Sequence, residues 1–474
     1  MRYFVNGMAI ICNCLQRKIE YIIICIRFIR NDSMCARIWI FILFQIFSGF
    51  SYAATLFMAD SIPSYYVDML SEKESAINSD GNNVASFIFI TDTHVQTNRM
   101  QAPMLIQHLL EHTILKNVIW GGDAIGAYGT ADDIETQWKK HVLYDSLINR
   151  SGYLYKIRGN HDFTIKESSQ SNKGVTYSQQ KTAQLLLEGH PQNIVLNSAD
   201  DGACYYYFDD NDNQLRFIVF DTTDSVREGN VAWGTILGVQ DTQLQWIADS
   251  AITTTPKGYG LIFLSHVPFT DTTGARHAEL SNVREIVDAA ALKTKGEIGN
   301  VKYDFTKLKD VRVLMCLSGH NHHDMQTFRN GVVHMVTACD AAYNDYKADP
   351  FVRNMSGMKM GTAYEQCFDC ITIKKKKGII KTYRIGIGGN RVFHTKPLSY
   401  RIGKRKRLKT SLRGHVEWYS YNASGNKYNG KWTLFNDVVS VDRAGNIIFE
   451  KRGKSVVFAI DDKGNKEFYN IEVK

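Results

Sequence analysis

The feature that most constrains this chain is a series of short apolar runs, each of which ends in polar residues. Residues 86–91 form a run rich in β-forming residues, and residues 118–120 and 153–157 form two more. Helical patterns fit residues 103–116 and 132–149 between these runs. Strands and helices that alternate in this way predict a parallel sheet with helices on its faces.

The second part of the pattern contains strands that follow one another more closely. Apolar, strand-like runs occupy residues 205–208, 215–220, 261–264, 311–317 and 332–336. The whole pattern therefore predicts an α/β sandwich with sheets inside and helices outside. In α/β proteins the carboxyl ends of the strands carry the sites, so the residues that follow each run matter most.

Five polar blocks follow these runs. In chain order they are Asp92-Thr93-His94, Gly122-Asp123, Gly159-Asn160-His161-Asp162, Ser265-His266 and Gly319-His320-Asn321-His322. Taken singly, a block of this kind also fits a cap or a turn, and a lone His266 fits an ordinary strand-end histidine. Because all five blocks follow apolar strands, we interpret them as parts of one site.

The side chains of these blocks form a coherent set of metal ligands. They offer two carboxylates, four histidines and one amide. Nitrogen and oxygen ligands without thiolate suit Mn, Fe or Zn rather than copper or an iron–sulfur cluster. Seven ligands are too many for one tetrahedral zinc, and they fit two metals that share a carboxylate.

The order of these blocks resembles that of the calcineurin-like metallophosphoesterases over residues 84–394. This resemblance implies a four-layer α/β/β/α sandwich and two divalent transition-metal ions, Mn, Fe or Zn. It implies a first metal held by Asp92, His94, Asp123 and His322. It implies a second metal held by Asp123, Asn160, His266 and His320, with Asp123 as the bridge.

The resemblance also implies the catalytic residues. His161 would act on the phosphate as a general acid or as a stabiliser of the transition state, and Asp162 would orient its ring. A hydroxide that bridges the metals would hydrolyse a phosphomonoester or a phosphodiester. Arg276 is a candidate phosphate contact, although an ordinary solvated loop arginine is the better fit to the pattern.

Charge is unevenly distributed along the chain, whose net charge is +8. The segment 371–474 contains 24 Lys and Arg against 8 Asp and Glu, whereas the segment 54–370 is acidic. An acidic body suits bound cations and argues against nucleic acid as the partner. We expect a phosphorylated small-molecule or lipid substrate, and a contact between the basic C-terminal region and an anionic surface.

Residues 395–474 have a different pattern, with short β runs separated by glycine-containing turns. This pattern predicts a small all-β sandwich domain at the C-terminus. The block Trp418-Tyr419-Ser420, and residues 439–442 followed by Gly445, resemble a bacterial immunoglobulin-like domain. The six basic residues at 401–409 fit either an anion-binding edge or a charged edge that prevents sheet pairing.

The N-terminal region contains signals for targeting. Residues 34–53 combine a basic start, a short apolar core and a small-x-small ending, which is typical of a signal peptide. A membrane anchor is the alternative. Residues 1–33 fit an over-extended reading frame, and residues 54–83 are predicted to be a linker. The protein is therefore expected to be exported to a periplasmic or extracellular space.

Together these patterns predict an exported two-metal phosphoesterase. The alternative from another class is a surface binding protein that uses an inactive metallophosphoesterase scaffold. A complete set of seven ligands argues for the enzyme, because a decayed site would lack some of them.

Overall fold

The structure, a computed structural model, describes only part of the chain. The described residues are 62–95, 101–126, 131–148, 153–166, 174–176, 179–224, 237–269, 280–340, 358–422 and 436–474. The predicted signal peptide 34–53, the segment 1–33 and Arg276 lie outside them. Residues from Pro63 to Lys474 belong to one compact unit.

Twenty-three strands lie in the described part of the chain. They are β1 (Ala85–Ile90), β2 (Asn117–Trp120), β3 (Tyr153–Lys156), β4 (Thr164–Lys166), β5 (Gly174–Thr176), β6 (Val195–Leu196), β7 (Tyr206–Asp210), β8 (Leu215–Val219), β9 (Gly260–Leu264), β10 (Lys295–Ile298), β11 (Val301–Asp304), β12 (Arg312–Ser318), β13 (Met325–Arg329), β14 (Val332–Val336), β15 (Cys367–Lys374), β16 (Ile379–Gly386), β17 (Arg391–Tyr400), β18 (Arg405–Arg407), β19 (Val416–Asn422), β20 (Val439–Val441), β21 (Asn446–Phe449), β22 (Gly453–Asp461) and β23 (Lys466–Val473).

The helices are fewer. They are α1 (Val67–Asn78), α2 (Ala102–His112), α3 (Ala131–Ile148), α4 (Asn160–Phe163), α5 (Gln179–Leu187), α6 (Asp241–Trp246) and α7 (Ser281–Leu292). A 3-10 turn, Ser64–Tyr66, precedes α1, and α6 continues into a π-helix, Ile247–Ile252. In α2, Leu105, Ile106 and Leu109 recur at helical spacing and are buried, which explains why this face packs inward.

The strands form two large sheets. The first sheet has nine strands in the order β19-β22-β23-β17-β16-β15-β1-β2-β3, and the second has seven in the order β13-β14-β12-β9-β8-β7-β6. In the first sheet β1, β2 and β3 are parallel. In the second sheet β8, β9, β12 and β14 are parallel. Strands of the same direction bring their carboxyl ends to one edge of each sheet.

The largest core cluster lies between the two sheets. Phe87 and Phe89 of β1 belong to it, and the ring of Phe87 lies 5.3 Å from that of Phe217 on β8 in an edge-to-face contact. Ile88 points to the other face of β1 and is also buried. Because both faces of β1 are covered, the strand reads as a continuous apolar run in the sequence.

Helices cover the outer faces. Apolar residues of α6, the π-helix and α7 pack with β8, β9 and β12 in a second core cluster. On the first sheet, α1 contacts β16, α3 contacts β3, and α2 packs against α3. The predicted four-layer α/β/β/α sandwich is confirmed.

The C-terminal region is all-β, as predicted, and four of its strands extend the first sheet. β17 spans the predicted boundary at residue 394, pairing with β16 on one side and with β23 on the other. A small sheet of β18, β21 and β20 lies over this extension and shares a core with it. The immunoglobulin-like resemblance is not confirmed, because the first sheet continues without interruption into this region.

The N-terminal segment predicted to be a linker contains α1. Leu70 and Ile77 of α1 are buried, and the helix packs on β16. Among the described residues, no helix has both the length and the apolar character needed to span a membrane.

Candidate metal centre

The predicted ligands come together where the two sheets end. The residues that follow β1, β2 and β3 meet those that follow β9 and β12 at one edge of the sandwich. The structure brings all seven predicted ligands there: Asp92, His94, Asp123, Asn160, His266, His320 and His322. We call this set the ligand cluster.

The first half of the ligand cluster contains Asp92, His94, Asp123 and His322, whose ligand atoms all lie within 4.8 Å of one another. The Nε2 atoms of His94 and His322 are 3.3 Å apart. Nε2 of His322 is also 3.3 Å from Oδ1 of Asp92. One cation could contact all four side chains from their common centre.

The second half contains Asp123, His266 and His320, again with ligand atoms within 4.8 Å of one another. Oδ1 of Asn160 lies 2.8 Å from Nδ1 of His320 and 3.2 Å from Nε2 of His266. Oδ2 of Asp123 lies 3.2 Å from Nε2 of His266. Asp123 therefore belongs to both halves, which is the position of a bridging ligand.

Two observations show that these residues fit bound cations. Oδ1 of Asp92 is buried and has no hydrogen-bond partner among the described residues. Burial alone would lower the pKa of His266, but the carboxylates of Asp123 and Asp92 raise that pKa to about 10. At His266 the two carboxylates thus stabilise positive charge, and the imidazole and carboxylate donors of the cluster suit a divalent transition metal.

His94 differs from His266 in its electrostatics. Burial lowers the pKa of His94 to about 4, although Asp123 opposes that shift. Its imidazole is therefore neutral at neutral pH, and a neutral imidazole is the form that binds a metal.

The backbone of the ligand cluster adopts an uncommon conformation. Asp92, His94, Asp123, His320 and His322 all have positive φ, between 44° and 68°. Only nine described residues other than glycine have positive φ, so the ligands are more than half of them. Each such residue costs about 1–3 kcal/mol, and such strain is concentrated at functional sites.

Glycines next to the ligands allow their close approach. A Cβ atom on Gly159 would lie 2.2 Å from both the backbone nitrogen and Oδ1 of Asp123. A Cβ atom on Gly319 would lie 2.4 Å from Oδ2 of Asp92. These contacts are too short for any side chain, which explains the glycine before Asn160 and before His320.

Asp162 occupies a different place from the one the sequence predicted. Its carboxylate accepts hydrogen bonds from the backbone N–H groups of Asp123 (3.0 Å), Ala124 (2.8 Å), Ile125 (3.3 Å) and Gly159 (2.9 Å). Burial, together with the nearby Asp123, raises its pKa to about 7. Asp162 therefore fixes the turn that carries the shared ligand, and it does not orient the ring of His161.

The ring of His161 is oriented by a backbone carbonyl. Its Nδ1 lies 2.7 Å from the carbonyl oxygen of Gly126, and its centroid is 4.6 Å from that of His94. Its Nε2 lies 3.8 Å from Oδ2 of Asp123, so the ring faces the ligand cluster. The carbonyl of Gly126 orients this ring, which Asp162 was predicted to do. The Asp162 carboxylate instead accepts hydrogen bonds from the backbone N–H groups of the Asp123 turn.

One buried ion pair beside the site was not predicted. Arg158 directly precedes the Gly159 block, and its Nε lies 3.1 Å from Oδ1 of Asp221 and 3.0 Å from Oγ1 of Thr223. Asp221 follows β8 in the second sheet, so this pair joins the two sheets next to Asn160. The polar run 221–224 after an apolar strand is the same signal that identified the other blocks.

A second group of buried charges lies behind the last histidine block. We call Arg384, Arg391, Asp324 and Asp369 the arginine cluster. Nη2 of Arg384 lies 2.7 Å from Oδ1 of Asp324 and 3.0 Å from Oδ2 of Asp369. Arg391 pairs with the same two carboxylates. This group connects β15, β16 and β17 to the segment that follows His322.

Several solved structures resemble the chain, all at low identity. A Staphylococcus aureus protein, described provisionally as a 5′-nucleotidase and solved with α-ketoglutarate, is 12% identical, with 64% of this chain and 53% of that chain covered and a TM-score of 0.35. This chain thus spans about half of the length of that protein. GAP50, the anchor in the inner membrane complex of Plasmodium, is 12% identical, with 64% and 89% covered and a TM-score of 0.37. The phosphopantetheinyl hydrolase of Mycobacterium tuberculosis is 10% identical, with 55% and 91% covered and a TM-score of 0.28.

At these identities and TM-scores, the similarities say nothing about activity or substrate. No curated protein matches the chain. The model of the calcineurin-like phosphoesterase family matches residues 85–324, just over half of the chain. This match contains β1 to β12 and every block of the ligand cluster, so the chain belongs to the calcineurin-like phosphoesterase family.

Proposed function

We propose that this protein is an exported, metal-dependent phosphoesterase that hydrolyses a phosphomonoester or a phosphodiester. The observation that supports this most is the sharing of Asp123 between two groups of ligand atoms, each within 4.8 Å. Two divalent cations held in this way supply an activated water and neutralise charge on the phosphate. Mn, Fe and Zn all suit these ligands.

In such a site some residues would bind the cations and others would hold those ligands in position. Asp123 would contact both cations, and the amide oxygen of Asn160 would complete the second half beside His266 and His320. Asp162 holds the Asp123 turn through four backbone N–H groups, so the shared carboxylate is fixed before any substrate arrives. A site fixed in this way needs little rearrangement when charge develops on the phosphate.

His161 is the residue placed to handle a proton. The carbonyl of Gly126 at Nδ1 favours a proton on that nitrogen, so Nε2 is the atom that would give a proton to the leaving oxygen or take one up. Nε2 faces the ligand cluster but is not one of its ligand atoms. His161 would therefore act on the ester without holding a metal.

The export part of the proposal depends on residues 34–53 alone. Their basic start, short apolar core and small-residue ending support a signal peptide that is cleaved after Ala53. Mass spectrometry of the mature N-terminus in the native host tests this. A mature protein that still contains residues 1–33 would contradict both the signal peptide and the over-extended reading frame.

The catalytic proposal is tested with metal-free protein reloaded with Mn or Zn. Elemental analysis should find about two ions per chain, and a panel of phosphomonoesters and phosphodiesters should include a substrate. The substrate is expected to be a phosphorylated small molecule or lipid. Protein that binds two ions and hydrolyses no ester would favour the alternative, a binding protein on an inactive scaffold.

A His161→Ala variant sharpens this test. Loss of a general acid typically slows turnover by about 10²–10⁴-fold, and the metal content should stay near that of the wild type. The loss should be smaller for an ester with a good leaving group, such as nitrophenolate. A variant that loses its metals, or that keeps its rate, would show that the role given to His161 is wrong.

A further inference from the structure

The small C-terminal sheet has a strongly basic strand at its edge. β18 pairs with β21 and is the last strand on that side of the described sheet. We call the exposed basic residues in and beside β18 the basic edge: Arg401, Lys404, Arg405, Lys406, Arg407 and Lys409. Six cations within nine residues on one strand and its flanking turn form a dense positive surface.

The basic edge has no ion pairs within the described part of the chain, although the charge of Arg407 adds to the hydrogen bonds of Asn446 in lowering the pKa of Asp442. Other exposed lysines of the same region do form ion pairs. Lys451 lies 2.8 Å from Asp437, and Lys474 lies 3.6 Å from Glu472. Charged side chains prevent sheet pairing at an edge, and six cations without ion pairs on one short segment also form a surface that attracts anions.

An apolar side chain projects from the same surface. Ile402 lies in the turn between Arg401 and Lys404 and is 49% exposed. Gly403 has a φ of 78°, and its N–H donates to the carbonyl oxygen of Phe449 at 2.7 Å. The turn is therefore anchored to β21, and it presents an aliphatic group between two cations.

We propose that the basic edge and Ile402 together bind an anionic lipid surface. Basic residues attract the headgroups of anionic lipids, and an aliphatic residue at a turn enters the boundary between headgroups and acyl chains. Both features occur here on one anchored turn and strand. This surface would dock the protein on a membrane without a membrane-spanning helix, and the proposal is independent of the catalytic one.

The same surface suits nucleic acid less well. Single-stranded nucleic acid is usually held by exposed aromatic rings on which bases stack. The aromatic residue nearest in sequence to this turn is Tyr400, and its ring already stacks on Phe449 with centroids 4.4 Å apart. An exposed isoleucine offers no stacking surface, whereas it does offer apolar area to a bilayer.

Sedimentation with lipid vesicles tests the proposal. The purified protein should sediment with vesicles of equal parts phosphatidylcholine and phosphatidylglycerol, and not with phosphatidylcholine alone. Each basic residue contributes about fivefold to binding, so the triple variant Arg405→Gln, Lys406→Gln, Arg407→Gln should bind roughly 100-fold more weakly. Ile402→Ser should weaken binding by about tenfold.

A matched triple variant controls for net charge. Lys307→Gln, Lys309→Gln and Lys377→Gln remove three exposed lysines outside the basic edge and should leave vesicle binding unchanged. Circular dichroism and thermal unfolding establish that each variant is folded. Equal losses in the two triple variants would overturn the proposal, because binding would then depend on net charge alone.

Two further outcomes would also overturn it. If Ile402→Ser binds vesicles as the wild type does, the surface recognises charge without entering the lipid. If the wild type prefers a single-stranded oligonucleotide to anionic vesicles at the same salt concentration, the partner is nucleic acid.

Discussion

The ligand cluster and the arginine cluster are both buried groups of charged side chains, yet they are completed in different ways. In the arginine cluster, two guanidinium groups face two carboxylates, and Nε and Nη2 of Arg384 both lie 3.0 Å from Asp369 oxygens. In the ligand cluster, Oδ1 of Asp92 meets the geometry of no hydrogen bond among the described residues, although Nε2 of His322 lies 3.3 Å from it, and two histidine Nε2 atoms face each other. The first group is balanced by the chain itself, and the second is balanced best by bound cations.

This difference separates structural from functional burial of charge. Removing one partner of a fully paired buried ion pair strongly destabilises the fold, because the other charge is then buried without a partner and without water. Unpaired polar groups in the ligand cluster raise the free energy of the folded, metal-free chain, and positive φ at five of its residues raises that free energy further. Changes in the arginine cluster should therefore alter stability, and changes in the ligand cluster should alter metal content.

The largest effect is expected at the shared ligand. Asp123→Asn should reduce binding at both halves of the ligand cluster and should slow hydrolysis by roughly 10³-fold or more, because several kcal/mol of charge stabilisation are lost. Asp92→Asn should affect the first half only. Elemental analysis of the two variants after identical metal loading distinguishes them. An Asp123→Asn protein that holds two ions would contradict the bridging role.

The second effect is on folding. Arg384→Met leaves two buried carboxylates short of a partner and should lower the free energy of unfolding by about 3–5 kcal/mol. Arg384→Lys keeps the charge but cannot reach both carboxylates with a planar fork, so its loss should be smaller. Denaturant titration of metal-free protein measures both. Equal free energies of unfolding for the wild type and Arg384→Met would contradict the structural role given to the arginine cluster.

A smaller effect is expected at Asp162. The Asp162→Asn side chain has one acceptor oxygen in place of two, so the Asp123 turn should be held less firmly. Changes in groups that orient metal ligands typically cost about 10–100-fold in metal affinity. Competition with a chelator measures this. Asp288→Asn is the control, because Asp288 bonds to Arg329 and Asn330 instead of to the turn; a similar loss in that variant would argue against the role of Asp162.

The smallest effect is a pH dependence beside the arginine cluster. Burial lowers the pKa of Lys466 to about 8, although Asp324 opposes the shift. Between pH 8 and the unfolded-state pKa of about 10.4 the unfolded chain binds more protons at this residue, so its contribution to stability rises with pH, by at most about 1.4 kcal/mol per pH unit. Lys466→Met should lack this contribution. Parallel stability curves for the two proteins across pH 8–9 would show that the pKa is not lowered.

The strands and the ligand cluster could be predicted from the sequence because both depend on local patterns. Apolar runs such as Val332–Val336 are long enough to identify a buried strand. The polar blocks follow those runs directly, and parallel pairing brings their carboxyl ends to one edge.

The features that were missed depend on residues far apart in the chain. Asp324 and Arg384 are 60 positions apart, and Asp369 lies within an apolar run, where the sequence gives no sign of its partner. Asp162 lies beside His161, and proximity suggested that it orients that ring, whereas its carboxylate accepts the N–H of Asp123, 39 positions away. The continuation of the first sheet into the C-terminal region was missed for the same reason, since β17 pairs in parallel with β23, 75 residues later.

The position of β23 in the sheet has a consequence for biosynthesis. This strand lies between β17 and β22, so the pair formed by β22 and β19 is joined to the rest of the sheet only through it. Every other strand of this sheet precedes Lys466–Val473 in the chain, so a ribosome synthesises all of them before this strand can pair with β17 and β22. Until then the edge of β17 is an unpaired template on the nascent chain, which a chaperone could protect and another nascent chain could occupy.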